Sequence, residues 1–497
     1  MTSPLQYRRP RLAANWDRLD AQGLRDLQDQ RLRTYVREQL ILSPFYESHF
    51  KSAGVDPRTF KGLEDLEKIP FCSKKDVIAS PENPTRPRDL VLHPTPERLK
   101  HWPLSRRLPL LGTALFEGKA VIKRELSLEY RPMTLTFTTG RSSAPTPFFY
   151  SLYDMDLSAL IGQRLMEVIG VEPEADKAVS LFPYAPHLAF WQTFMVSMGG
   201  GMFILNTGGG RIMATPKILD ILEKMQPTLI MGIPGYMYHL MRQAEAEGRK
   251  FKNVRRVALG GEKVTPLLKV RLKEILKRMG SPDPEVLSIL GFTESRQCWA
   301  ECPDPAGSGF HLYPDTSFIE IIDPDTGKVL GDGQTGEMVY TSLDGRASSL
   351  FRYRTGDIIQ GGITHTPCPH CGRTVPRIGT DIRRFSNMKD FHLTKVKGTL
   401  LDLNILAGVL GNHAGVEEWQ LVITKLNGDP LEVDVLTLYI ALRSGADEAA
   451  VKADLVKQLQ HQCEVSPNAI VVENLEALLQ RVGMEDKVKE ERIVDRR

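Results

Sequence analysis

TLIMGIPGYMYHLMRQAEAEGRKFKNVRRVALGG, residues 228–261, decides the architecture of this chain. An apolar run, TLIMGI, gives way at Pro234–Gly235 to a helical pattern over Tyr236–Glu247, and a second apolar run, RRVALGG, follows. A strand, a crossover helix and a second strand make the unit from which parallel sheets are wound. The alternation continues outward, predicting strands at MTLTFT, AVSLF, MFILN and VLSILG and helices over Thr215–Gln226 and Pro266–Met279. The fold class is therefore read as α/β, with a large wound domain at its centre.

The flanks differ in character. Asp20–Leu40 carries Leu24, Leu27, Leu32, Val36 and Leu40 at helical spacing and opens a helical N-terminal region. Residues 81–130, rich in proline and basic residues, read as an irregular insertion. Residues 296–378 turn to strand–turn–strand, with DPDTG, GDGQTG and LDGR as turns, which predicts an antiparallel subdomain. From about residue 388 the pattern restarts, with strands in EWQLVIT and EVDVLTLYIAL and a helix over Glu448–Gln462. The expected division is a large domain, 1–387, and a small mobile α+β domain, 388–497, with the boundary near Phe385–Lys389.

At 497 residues the chain exceeds what one core supports. Its composition is that of a globular protein, 41% hydrophobic and 25% charged. Net charge is only +3, with both signs interleaved, which argues against nucleic acid or a membrane surface as main partner. No run of about 18 apolar residues is present. The N-terminal MTSPLQYRRPRLAANWDRLD lacks the apolar segment of a secretory signal. Six cysteines form no disulfide framework, and a cytoplasmic setting is expected.

Three segments carry chemistry. In SLFRYRTGD, Ser349–Asp357, a carboxylate follows a glycine turn at the end of a strand, where its two oxygens can accept from vicinal ribose hydroxyls. Thr-Gly-Asp is also an ordinary turn. TFTTGRSSAPT, residues 136–146, offers Thr138, Thr139, Gly140, Arg141, Ser142 and Ser143 as a cradle for phosphate oxygens, or else a solvated loop. It lacks the Lys-Ser ending of a Walker A loop. Cys368 and Cys371, in CPHCG, have the C-x2-C spacing of half a zinc knuckle, or form a turn with two reduced cysteines.

In order, TFTTGRSSAPT, LFPY, ALGGE, SILGFTE, FRYRTGD and CPHCGRTVPRIG resemble the motifs of the phenylacetate–coenzyme A ligases, a branch of the AMP-forming, adenylate-forming enzymes. The resemblance reaches the N-terminal FYESHFKSAGVDP and LEDLEKIPF and the final IVDRR, leaving out residues 81–130. It implies that an aromatic or apolar carboxylic acid attacks ATP to give acyl-AMP and pyrophosphate, after which the thiol of coenzyme A displaces AMP. By the same resemblance Asp357 would hold the ribose, Glu294 would hold Mg²⁺, Thr293 would meet the α-phosphate, and Gly260, Gly261 and Glu262 would wall the adenine. Arg384 would contact ribose or phosphate, and Lys489, with Lys487 one slip away, would bridge carboxylate and phosphate. Related enzymes also carry a cysteine and a histidine where Cys302 and His311 stand, so a Cys₃His structural Zn²⁺ site is expected, with His370 and Cys298 as substitutes. Tyr184, Phe190, Trp191, Phe194, Tyr236 and Gly291 would border the acid, although an aromatic stripe on a helix also packs as core.

Departures accompany the match. Ser143 and Ala144 replace a glycine and a lysine of the phosphate loop, Leu290 replaces the aromatic that stacks on adenine, Asn387 stands at the hinge, and Val488 replaces a glycine. Two other readings follow: adenylyl transfer or acyl transfer to a carrier-protein thiol without coenzyme A, and a non-catalytic binding protein of the same fold. The expected partner is a small carboxylic acid, with no nucleic acid and no membrane, and a homodimer is left open.

Overall fold

The computed structural model describes residues 7–138, 146–210, 212–304, 307–384, 393–396, 399–425, 428, 434–463, 465–483 and 491–496. Two compact units emerge: Met1–Pro234 with Ala244–Val264 and Leu272–Ile382, and Gly235–Gln243 with Thr265–Arg271 and Arg383–Arg497.

The chain forms β1 (Thr134–Phe137), β2 (Pro147–Tyr150), β3 (Lys177–Ser180), β4 (Phe203–Asn206), β5 (Leu229–Gly232), β6 (Arg256–Gly260) and β7 (Glu285–Phe292). Strands β7, β6, β5, β3 and β4 lie side by side in that order, all parallel. Every residue of β5 is buried, which is why TLIMGI reads as a continuous apolar run and not as an alternation. Helices Leu188–Gly200, Thr215–Met225, Pro234–Ala246 and Pro266–Arg278 are the crossovers.

Three expectations are corrected. MTLTFT does form a strand, but among the described residues β1 pairs only with β2, in a separate two-stranded ribbon. Of its four residues only Thr136 is buried, so nothing draws it into the central sheet.

The antiparallel region is divided between two sheets. Past β7 come β8 (Gln297–Ala300), β9 (Phe310–His311), β10 (Ser317–Ile322), β11 (Gly336–Ser342), β12 (Tyr353–Ile359), β13 (Ile363–Thr364) and β14 (Arg377–Ile378). Strands β8, β9, β14 and β13 extend the wound sheet beyond β7, whereas β10, β11 and β12 build a second, antiparallel sheet.

Residues 81–130 are helical: Arg86–Asp89, Pro96–Leu99, Leu104–Phe116 and Lys119–Tyr130. Their prolines start helices more often than they break them, since Pro at the first positions gives up only an N–H that had no partner. Tyr130, Trp102, Leu92 and Leu42 form a small core beneath this insertion.

The small unit holds a four-stranded sheet in the order Ala469–Val472, Asp434–Leu442, Val416–Lys425, Ile493–Asp495. Helices Leu403–Asn412 and Glu448–Cys463 supply Leu406, Leu455 and Leu459 to its core. The expected boundary at Phe385–Lys389 falls outside the described residues. Among the described residues no helix is long and apolar enough to cross a membrane.

Candidate active site

From β3 the chain moves to β4 on one side and then returns to β5 on the other. At such a reversal the loops leaving the carboxyl ends part in opposite directions and open a crevice. Leu181 N–H still bonds Met231 O at 2.7 Å, after which the chain turns away and Tyr184 N–H bonds Gly208 O at 3.0 Å. Phe137 N–H donates to Pro186 O at 2.7 Å and His187 Nδ1 donates to Phe137 O at 3.1 Å, tying the end of β1 to this turn. Thr138, the first residue of the expected phosphate cradle, is closed against Thr146 by Thr138 N–H to Thr146 O at 3.2 Å and Thr146 N–H to Thr138 Oγ1 at 3.3 Å. Thr139, Gly140, Arg141, Ser142 and Ser143 lie outside the described residues.

The neighbouring strand ends bring further candidates together. Gly260 pairs with Ile289, and a Cβ at Gly260 would stand 3.0 Å from Ile289 O. Gly261 has φ +89°, a conformation that a side chain strains, so this Gly-Gly step is required by the backbone. Glu262 follows, partly buried, in the turn. Gly291 is exposed near the end of β7, and a Cβ there would lie 3.7 Å from Leu188, the first residue of the aromatic helix. Tyr184 meets Phe190 at 5.0 Å and Trp191 at 6.1 Å between ring centroids. This group is not core: Tyr184 is 59% exposed and Phe194 42%. Tyr236 opens the helix that follows β5 and is buried.

Thr293 and Glu294 form the tight turn between β7 and β8, with Glu294 buried. The turn is held by Arg296, which adopts φ +61°, pairs with Asp154 at 2.7 Å and donates to Phe149 O at 3.0 Å and Ser348 O at 2.8 Å. Burial alone would raise the Asp154 pKa. The Arg296 charge and backbone N–H groups of Ser151, Arg346 and Ala347 outweigh it and hold the carboxyl below the usual range. This buried pair was missed from sequence; the two residues lie on separate elements with no common motif.

Asp357 is buried in β12, and its setting corrects the sequence reading. It sits inside the strand, not at its end. Opposite Thr355–Asp357 the register of β11 slips between Glu337 and Val339, making a bulge. Gly356 takes φ +72°, Thr355 Oγ1 donates to Met338 O at 2.8 Å, and Asp357 N–H bonds Thr355 Oγ1 at 3.0 Å. The arginines of FRYRTGD are clamps for this strand. Arg352 grips Glu320 at 2.7 and 3.2 Å and Ile69 O at 2.8 Å, and Arg354 holds Glu337 at 2.9 Å. Phe292, just before Thr293, packs 5.4 Å from Tyr340 of β11 and 6.5 Å from Tyr353 of β12. The turn carrying Glu294 and the strand carrying Asp357 thus share one aromatic cluster. Arg384 ends the strand Ile382–Arg384, its side chain outside the described residues, as is Lys489.

Cys302, His311, Cys368 and Cys371 present ligand atoms that all lie within 4.8 Å of one another. Pairing of His311 with Arg377 and Ala300 brings the segments after β8 and before β14 together. The Cys368–Gly372 turn is closed by Gly372 N–H to Cys368 O at 2.9 Å. The Cys302–Cys368 sulfurs are 3.8 Å apart and Cys371 Sγ is 3.3 Å from His311 Nε2. Tetrahedral zinc, with bonds of about 2.3 Å to sulfur and about 2.0 Å to nitrogen, has edges of about 3.8 and 3.5 Å, so these residues fit it. Hydrogen bonds from Cys302, His311 and Arg373 favour the thiolate at Cys371. The two substitute ligands are otherwise engaged: His370 pairs with Asp304 at 3.0 Å, and Cys298 packs in the core.

Comparison with known proteins agrees with this fold. The family model described as AMP-binding enzyme matches residues 149–343. A phenylacetate–coenzyme A ligase of Thermus thermophilus is 28% identical over 395 residues, 78% of this chain and 76% of the relative. One of Pseudomonas putida is 25% identical over 472 residues, 94% of this chain and 90% of the relative. Among solved structures, a 2-hydroxyisobutyryl-CoA ligase in its postadenylation state superposes with TM-score 0.73 at 19% identity, covering 99% of this chain and 95% of that one.

Proposed function

This chain belongs to the phenylacetate–coenzyme A ligase family of AMP-forming enzymes, and on that premise we propose that it couples an aromatic or similarly apolar carboxylic acid to coenzyme A at the expense of ATP. The acid is first activated as acyl-AMP with release of pyrophosphate, and the thiol then displaces AMP. The observation that carries this reading is the convergence of Gly260–Gly261, Gly291 and the exposed Tyr184–Phe190–Trp191 group at the carboxyl ends of a parallel sheet.

Each residue has a role in overcoming one difficulty, the approach of an anionic carboxylate to an anionic phosphate. Asp357, fixed by its bulge, accepts the two ribose hydroxyls. Gly260, Gly261 and Glu262 admit the flat adenine against bare backbone, with Leu290 on its other side. Thr138 to Ser143 cradle the phosphates, and Arg141 supplies the cation that Ala144 does not. Thr293 hydrogen-bonds the α-phosphate. Mg²⁺, when bound, neutralises phosphate charge, and Glu294 is the carboxylate that would hold it. Tyr184, Phe190, Trp191 and Tyr236 border the acid beside Gly291, Arg384 contacts ribose or phosphate, and Lys489 spans acid and α-phosphate as charge develops.

Cys302, His311, Cys368 and Cys371 hold a structural Zn²⁺; with four protein ligands no position is left for substrate. We place the enzyme in the cytoplasm, acting on small molecules and not on nucleic acid.

The test is pyrophosphate release from ATP and Mg²⁺ with a panel of aryl acids, with and without coenzyme A. Acid-dependent release with thioester formation is expected. Release without thioester would leave adenylyl or carrier-protein transfer, and no release with any acid would leave a binding protein.

A further inference from the structure

We infer that the helical insertion docks on an anionic lipid bilayer surface. Leu104, Leu108, Leu111 and Leu115 recur every three or four residues along Leu104–Phe116, so they fall on one line down the helix. They are 66%, 61%, 61% and 80% exposed, and Phe116, where this helix ends, is 86% exposed. The opposite side is spent on the fold: Leu110 packs toward Tyr130 and Trp102, and the Arg106 guanidinium lies 4.5 Å over the Trp102 ring. Five large apolar side chains facing solvent on a 13-residue helix are not explained by the core beneath them.

Charge decides the occupant. Residues 98–131 hold eight basic side chains (Arg98, Lys100, Arg106, Arg107, Lys119, Lys123, Arg124, Arg131) against three acidic ones (Glu117, Glu125, Glu129), a net +5, from which Arg98 and Arg106 are spent on pairs with Glu47 and Glu38 outside the stretch. The whole chain has only +3, so the local excess is hidden in the overall composition. Lys100, Lys119, Lys123, Arg124 and Arg131 are exposed, whereas of the three acids only Glu117 is. A leucine face on a helix whose following helix and flanks expose a basic excess suits an interfacial helix that sinks its apolar side about 5–10 Å into an anionic leaflet.

A second copy of the chain suits it less well. A two-fold contact would set one basic hairpin against the other. One stripe about 20 Å long also offers less than the ~800 Å² per partner that a stable dimer buries. The insertion lies outside the run of motifs that resembles the ligases, so attachment here leaves the catalytic residues untouched. It would hold the enzyme where apolar acids partition.

The experiment is flotation of the full-length protein with vesicles of phosphatidylcholine alone or mixed equally with phosphatidylglycerol. Binding to the mixed vesicles is expected, weakened by salt. Leu108→Gln/Leu111→Gln/Leu115→Gln should reduce binding roughly tenfold or more with thermal midpoint and soluble-substrate turnover unchanged. Lys119→Glu/Lys123→Glu/Arg124→Glu should remove the preference for phosphatidylglycerol. Failure of the unaltered protein to float, or flotation indifferent to the leucine substitutions, would overturn the inference. A concentration-dependent dimer abolished by the leucine substitutions would also overturn it, assigning the stripe to self-association.

Discussion

Asp357 sits in a bulge that sets its main chain. Gly356 supplies φ +72°, Thr355 bridges to Met338, and Asp357 N–H bonds Thr355 Oγ1, so the backbone at Asp357 is fixed before any nucleotide arrives. If Asp357 holds the ribose as proposed, Asp357→Ala would remove two charge-assisted bonds worth about 1.5–3 kcal/mol each, and ATP affinity should fall about 100-fold or more. Calorimetric titration with ATP reads this directly, and an unchanged affinity would dispose of the ribose assignment. Asp154 acts instead through stability. Its folded pKa is lowered from 3.8, so its contribution is present above that pH and is lost as acid titrates it through the lower folded value. Urea midpoints measured against pH should therefore drop below about pH 3.8, and Asp154→Asn should flatten that acid limb. A limb of the same depth in the variant would show that other carboxylates control it.

At the level of elements, the cysteine–histidine cluster joins segments that secondary structure alone holds weakly. Strands β9, β13 and β14 are two residues each, too short to be stable by their ladder hydrogen bonds. A metal joining the Cys302, His311 and Cys368–Cys371 segments, as proposed, would restrain the end of the wound sheet. Elemental analysis should find one zinc per chain. Cys368→Ser/Cys371→Ser should lose it together with about 4 kcal/mol or more of stability, the size of effect that belongs to loss of a metal. Zinc-free protein of undiminished denaturant midpoint would refute the staple. The insertion teaches the opposite lesson about local pattern. Proline-rich text suggested irregular chain, yet the prolines at the first positions of Arg86–Asp89 and Pro96–Leu99 stand where helices accept them.

At the scale of the whole molecule, Gly260, Gly261, Gly291, Glu294 and Asp357 lie in the large unit, whereas Tyr236, Arg384 and Lys489 belong to the small one, Lys489 six residues before the end of the strand Ile493–Asp495. That strand pairs in parallel with Leu421–Ile423, so the final IVDRR motif begins with an integral part of the small unit's sheet. If Lys489 acts in the first step alone, Lys489→Ala should slow acid-dependent pyrophosphate release by about 10²–10³-fold, the usual effect of removing one transition-state donor. Thioester formation from supplied acyl-AMP should stay near its normal rate. Equal loss in both half-reactions, or in neither, would contradict the assignment.

The sequence alone determined the wound sheet, the ordered motifs and the Cys368–Cys371 half-site. These are local signals: apolar runs of strand length, helical periodicity, turn residues, and ligands three positions apart. Tertiary structure decided what depends on partners distant in the chain. It placed β8, β9, β14 and β13 on the parallel sheet, set β1 apart in a ribbon with β2, made Asp357 part of a bulge against β11, and turned Arg352 and Arg354 into clamps. It also exposed the leucines of Leu104–Phe116, which by spacing alone would have packed. The reason is physical: a residue's pattern says which face it shares with its neighbours, but only long-range packing says what, if anything, covers that face.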